Sequence, residues 1–265
     1  MVLSIQAKEE DDVTVRMRAM TCGYLHANAA PFMEGLKGRI ALPIPSYLIE
    51  HPKGRVLFDT GLHPQLRESP EDRLGGLAKA FKVEYAQGED IKARLESINV
   101  DPGSINFIVN SHLHFDHAGG NEMVPNANLV IQRPEWEAGS EPDSQRKNGF
   151  NPRDYDLGHS VILADGEHDI FGDGTLTCIP TYGHTPGHQS LRVRLDGGDV
   201  VLTGDACYFK ETLETLKLPT FSYDFEMQRE SLLRLRKLQD SGARIFYGHD
   251  LEFWKNIPQA PLDIS

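Results

Sequence analysis

The sequence predicts an α/β fold, a sandwich in which sheet dominates and helices are interspersed. Three observations predict it. β-Branched or alternating apolar runs recur along the chain, most of them end in Gly, Pro, Asn or Asp, and helical spacing appears in two stretches between them. The expected strands, in order, are 13–20, 46–50, 56–59, 106–110, 128–132, 176–180, 190–195, 200–204 and 244–247. The first expected helix covers 89–98, where Ile91, Leu95 and Ile98 fall on one face and Asp101-Pro102 ends the run. The second covers 225–240, where Leu232, Leu233, Leu235 and Leu238 suggest packing against a sheet and Ser241-Gly242 is the stop. Residues 22–39 and 68–87 hold Gly, Pro and scattered aromatics without a period and read as long loops. No low-complexity linker divides the chain, so one domain over 1–265 is expected.

Composition narrows the function. Apolar residues at 39% and charged residues at 25% are ordinary globular values. The net charge of -12 counts against a nucleic-acid partner, since phosphate binding wants a surplus of Lys and Arg. No apolar run approaches the roughly 18 residues of a membrane span. The N-terminus lacks a basic segment followed by an apolar one, so no export signal is visible. Cys22, Cys178 and Cys207 are an odd, widely spaced set that suits a reducing cytoplasm better than a disulfide framework.

The chemistry concentrates after the strand 106–110, in Ser111-His112-Leu113-His114-Phe115-Asp116-His117-Ala118-Gly119-Gly120-Asn121. His112 and His114 alternate, so an extended segment points both rings to one side, while Asp116 and His117 lie in the turn beyond and diverge around a second point. Three imidazoles and a carboxylate within six residues form an N/O donor set that suits Zn, Mn, Fe or Co rather than Ca or Mg. A single histidine of this kind more often serves packing or solvent; a cluster at a strand end does not read that way. Further donors stand at other strand ends in Gly-bearing turns: His184 after 176–180, Asp205 after 200–204, and His249 after 244–247. His188, four residues past His184, is expected to hydrogen-bond behind the site. His26, His51, His63, His159 and His168 have no ligand context and read as surface histidines.

Together these residues resemble the metallo-β-lactamase superfamily, from Phe58-Asp59-Thr60-Gly61 through the His112 cluster, His184-Thr185-Pro186-Gly187-His188 and Gly204-Asp205 to Gly248-His249-Asp250. Within it the chain is most similar to the N-acyl-homoserine lactone lactonases, the quorum-quenching branch; Asp205-Ala206-Cys207-Tyr208 matches the place where these enzymes carry an active-site tyrosine. The resemblance implies an αββα sandwich of two mixed β-sheets flanked by helices, and two divalent metal ions, Zn2+ with Co, Mn or Fe as alternatives. It implies His112, His114 and His184 on the first ion, Asp116, His117 and His249 on the second, and Asp205 bridging them. A bridging carboxylate argues against a true β-lactamase, and Cys207 reads as core filler. Asp59 is expected to orient a metal-bound histidine.

The implied reaction is opening of a lactone ring by a metal-bridging hydroxide, with Tyr208 donating to the developing oxyanion and Asp116 passing the proton to the leaving alkoxide. Leu25, Phe32, Met33 and Phe115 are candidate walls for an acyl chain, and core or lid packing is the equal alternative for them. The small-molecule lactone is the expected partner, with no nucleic acid and no membrane insertion, and the early loops could exchange across a homodimer. The alternatives are another lactonase or carboxylic-ester hydrolase of the superfamily, such as a pyridoxolactonase-like enzyme, and a mononuclear iron dioxygenase.

Overall fold

The computed structural model describes residues 14–265. Residues 1–13, which include the start of the first expected strand and the stretch read as free of an export signal, lie outside them. Among the described residues, one sheet has seven strands in the order β4-β1-β2-β3-β5-β6-β7 and a second has five in the order β12-β11-β10-β9-β8. In the first, β1 (Arg16–Asn28), β2 (Arg39–His51), β3 (Gly54–Phe58) and β4 (Lys82–Glu84) pair antiparallel; β3, β5 (Phe107–Val109), β6 (Asn128–Gln132) and β7 (Val161–Ala164) run parallel. In the second, β8 (His168–Asp169), β9 (Leu176–Pro180), β10 (Gln189–Leu195) and β11 (Gly198–Leu202) are antiparallel, and β12 (Arg244–Phe246) lies parallel to β11. Both sheets are mixed.

The two-residue period of the strands builds the layers. Tyr47, Ile49, Val56, Phe58, Val109 and Val130 of the first sheet face Cys178, Leu191, Val193, Val200, Leu202 and Phe246 of the second in one buried cluster. Their neighbours Leu48, Leu57, Ile108 and Leu129 point the other way, where α2 (Ile91–Glu96), after the short α1 (Pro70–Leu74), contributes Ile91 and Leu95. Behind the second sheet, Val201 and Ile245 meet Leu232 and Leu235 of a later helix, Phe225–Asp240. The result is helix, sheet, sheet, helix, as expected. Polar bolts cross between the sheets at one end: the Gln189 amide on β10 donates to the carbonyls of Asn110 (2.8 Å) and Val130 (3.1 Å) and accepts from Gln132 at 3.1 Å.

After β5 come the one-turn α3 (Phe115–Ala118), then α4 (Arg133–Ser140) and α5 (Pro142–Asn148); α6 (Lys210–Thr215), α7 (Phe225–Asp240) and α8 (Leu251–Trp254) complete the helices that matter for the site. α7 has the expected bounds, and Asp224 caps it by accepting from the Met227 amide. Three expectations change. The segment 68–87 is not loop throughout, since it carries α1, the 3-10 helix Gly75–Lys79 and the short β4. The segment 22–39 is not a loop throughout: β1 continues to Asn28, through a bulge after Thr21, so that only 29–38 is irregular. Leu233 is 41% exposed, because its neighbours Leu232 and Leu235 already fill the buried face of α7.

Leu191 is enclosed between the sheets with no exposure. Leu191→Ala is expected to lower stability by about 2–5 kcal/mol, read as a shifted midpoint in urea denaturation.

Candidate metal centre

The expected donors arrive from both sheets at one end of the sandwich. His112, His114, Asp116 and His117 follow β5; His184 follows β9, Asp205 follows β11, and His249 follows β12. They form two groups whose donor atoms lie within 4.8 Å of one another: His112, His114, His184 and Asp205 in one, Asp116, His117 and His249 in the other. Asp205 reaches both. Its Oδ2 faces His184 Nε2 (3.5 Å) and His112 Nε2 (3.9 Å), while its Oδ1 faces His117 Nε2 (3.1 Å) and His249 Nε2 (2.9 Å). Asp116 Oδ2 stands 3.7 Å from His117 and 3.8 Å from His249. All seven expected positions are thus brought together. Asp116 and His117 sit on α3 rather than in an open turn, with the His117 ring 4.2 Å from that of His112.

The chain behind four of the five rings orients them. A carbonyl or carboxylate only accepts, so a ring nitrogen touching one carries the hydrogen and leaves a lone pair on the other. His114 Nε2 meets the Asn148 carbonyl at 2.7 Å, His249 Nδ1 the Pro43 carbonyl at 2.8 Å, and His117 Nδ1 the Asp59 carboxylate at 2.8 Å. Ser111 Oγ donates to Asp59 (2.8 Å) and so accepts from His112 Nδ1 (3.0 Å). Asp59 also takes the Ser111 amide at 2.7 Å, and its backbone adopts φ +55°, turning the chain out of β3 so that the carboxylate can reach these groups. The expected orienting role of Asp59 is met. His184 differs: its Nδ1 is buried without a hydrogen-bond partner.

The donor chemistry fits divalent cations. The inward nitrogens of His112 and His114 approach to 2.8 Å and those of His114 and His184 to 3.1 Å, while His117 and His249 both turn Nε2 on one Asp205 oxygen at 3.1 and 2.9 Å. Such crowding of acceptors is costly unless a cation lies between them. Electrostatics point the same way. Burial holds His112 and His184 well below the ordinary histidine range. For His117 and His249 burial acts downward too, but Asp205 and Asp116, with Asp59 also acting on His117, outweigh it and raise them. Against burial, His249 and His117 hold Asp205 well below the usual carboxylate range.

His188 serves behind the site as expected: its Nε2 accepts from the Asp205 amide at 3.0 Å and its Nδ1 meets Thr181 Oγ1 at 2.9 Å. It must stay neutral to accept, and burial lowers it to about 3. Cys207 is buried core, its thiol donating to the Phe209 carbonyl, and belongs to neither donor group. Two histidines read as surface are in fact buried. His51 stacks on Phe171 at 4.1 Å, and His63 caps a 3-10 turn by accepting from Gln65.

Tyr208 packs against the donors, its ring 5.5 Å from His249 and 5.8 Å from His184. Burial, and then the Asp205 carboxylate, push its hydroxyl well above the ordinary value, so it is a proton donor at any working pH. Leu25, Phe32 and Phe115 share one cluster with Tyr208, and Met33 is buried beside Thr212. All four are buried, Leu25 and Met33 almost completely and Phe32 and Phe115 at 6% and 8% exposure. The sequence reading missed Phe81, which meets both Phe32 (6.3 Å) and Phe115 (5.8 Å), and Phe221, 43% exposed and 6.0 Å from the His184 ring. Neither carries a periodic signal, since both stand in irregular chain.

Residues 39–249 match the family described as the metallo-beta-lactamase superfamily. The N-acyl homoserine lactonase AttM of Azorhizobium caulinodans is 35% identical over 227 residues, which is 83% of this chain and 86% of that one. AiiA, the N-acyl homoserine lactonase of Bacillus thuringiensis subsp. kurstaki, is 33% identical over 224 residues, again 83% and 86%. A solved N-acyl homoserine lactone hydrolase, with the product N-hexanoyl-L-homoserine at its catalytic metal centre, superposes with TM-score 0.85 at 28% identity, covering 95% of this chain and 100% of that one.

The lowered histidines set the acid limit of metal-free protein. Unfolded chains protonate them below about pH 6.5, whereas the folded chain refuses those protons, so acid favours unfolding by about 1.4 kcal/mol per pH unit for each. Glu135 and Asp154, raised by burial to about 7 and about 6, act in the opposite sense and offset part of this. Chelator-treated protein is expected to lose stability between about pH 6.5 and about pH 5, followed by urea midpoint; a flat profile would show that the histidines are not held neutral.

Proposed function

The chain belongs to the metallo-β-lactamase superfamily, and we propose on that footing that it is a metal-dependent hydrolase opening the lactone ring of N-acyl-homoserine lactones. The observation that carries the proposal is the Asp205 carboxylate, with one oxygen turned to each donor group. His112, His114 and His184 would hold one divalent cation, Asp116, His117 and His249 a second, and Asp205 would join both; borderline-soft ions such as Zn2+ suit this N/O set. When bound, such cations supply Lewis acidity to the ester carbonyl and activate water.

The remaining steps belong to side chains. Tyr208, kept protonated by its burial, donates to the carbonyl oxygen as negative charge develops there. Asp116 stands at the edge of the second group and takes the proton released in the attack, then returns it to the ring oxygen that leaves. Phe32, Phe81, Phe115 and Phe221 form an apolar wall for the acyl chain, backed by Leu25 and Met33. On this proposal the chain is one hydrolase domain acting on a small lactone without nucleic acid. No helix among the described residues is long and apolar enough to cross a membrane. Three buried free cysteines suit a reducing cytoplasm.

A pH-stat screen tests the substrate. Acid release is expected from acyl-homoserine lactones; release confined to thioesters or phosphodiesters would overturn the assignment. Tyr208→Phe is expected to lower kcat by about 100-fold while metal content, measured by elemental analysis, stays unchanged.

A further inference from the structure

Outside the donor groups, the most unusual side chain is Glu135, the third residue of α4. It is a fully buried carboxylate with no cationic partner among the described residues. Burial of such a group is expensive unless its oxygens are satisfied. Here both are, each by a backbone amide, with the Thr185 hydroxyl also acting on the carboxylate. Oε1 accepts from the Leu113 amide at 3.1 Å and Oε2 from the Gly187 amide at 2.8 Å. Leu113 lies between His112 and His114; Gly187 lies three residues past His184. One carboxylate therefore spans the two chain segments, from opposite sheets, that carry the three-histidine group.

The surroundings are built for this contact. A Cβ on Gly187 would stand 2.2 Å from the Glu135 nitrogen, so only glycine lets the His184 loop rest on the first turn of α4. A Cβ on Gly139, one turn on, would stand 2.6 Å from Leu113 Cδ1, so the same helix also seats the Leu113 side chain. His184, moreover, is the one donor ring whose outer nitrogen lacks an acceptor. Its placement depends on its main chain, which is held where the Tyr223 amide donates to the His184 carbonyl (3.1 Å) and where Gly187 meets Glu135.

We propose that Glu135 is a positioning residue: by clamping the Leu113 and Gly187 amides it fixes His184 against His112 and His114 and presets that group for its cation. The inference rests on the two-cation reading above. Burial pushes its carboxyl up to about 7, and the Gly187 and Leu113 amides act against that rise.

Glu135→Gln keeps the shape but can accept from only one of the two amides, and turns its own N–H donors on the other. Chelator-treated wild type and variant are titrated with Co(II) by calorimetry and visible absorption. The wild type is expected to take two equivalents. The variant should keep one at wild-type affinity and bind the other about 10- to 100-fold more weakly, with the weakened absorption matching the one His184→Ala removes. Two unchanged affinities, or two equally weakened ones, overturn the clamp. A wild type that takes a single equivalent overturns the two-cation reading instead, and the clamp then fails if that affinity is unchanged in the variant. Should the variant not fold, hydrogen exchange on the metal-free wild type decides: Leu113 and Gly187 amides are expected to be protected like the β5 core, and exchange at solvent rates would refute the clamp.

Discussion

Five imidazoles and the carboxylates of Asp59, Asp116 and Asp205 share one buried end of the sandwich, and the cost of holding them there governs the design around it. Unpaired acceptors in a low-dielectric interior repel one another and are denied water. The protein offsets this from outside by giving four of the five rings an acceptor on the far nitrogen, and the inward faces are thereby left as lone pairs. Asp205 then draws His117 and His249 toward the protonated state, so protons take the places for which cations would compete. Stability, metal affinity and chemistry are read from the same few ångströms.

Each donor sits just past a strand, and the strands explain why so many can meet. β5 and β3 end beside each other, so Asp59 reaches Ser111 and His117; β9, β11 and β12 end on the facing sheet and bring His184, Asp205 and His249 across. Glycines permit the close approaches at the crossing. A Cβ on Gly183 would stand 2.1 Å from the Gln228 nitrogen and one on Gly120 2.3 Å from the Thr60 carbonyl, so no larger residue fits either place.

What the sequence made legible was the side chains that declare a chemistry. The His112–His117 spacing, the glycine turns around His184 and His249, and Asp59 after its strand all stood where the folded chain puts them to use. The supports did not declare themselves. The carbonyls of Pro43 and Asn148 orient His249 and His114, and a backbone carbonyl has no residue type to read. Glu135 follows Arg133-Pro134 at a helix start and looks like ordinary first-turn acid until the fold buries it. The continuation of β1 through Cys22–Asn28 was hidden by glycine and polar residues at a bulge, and the burial of His51 and His63 by local capping and stacking that only tertiary neighbours create.

The Gln189 side chain has a mechanical consequence. Two apolar faces in contact can slip past each other by a fraction of a residue at little cost, since hydrophobic attraction has no direction. An amide anchored on one sheet and bonded to the Asn110 and Val130 carbonyls of the other does have direction, and it indexes the halves like a dowel between two boards. Because the dowel sits one residue from His188 and two from His112, thermal shear of the sandwich is stopped at the one place where it would pull the donor groups apart.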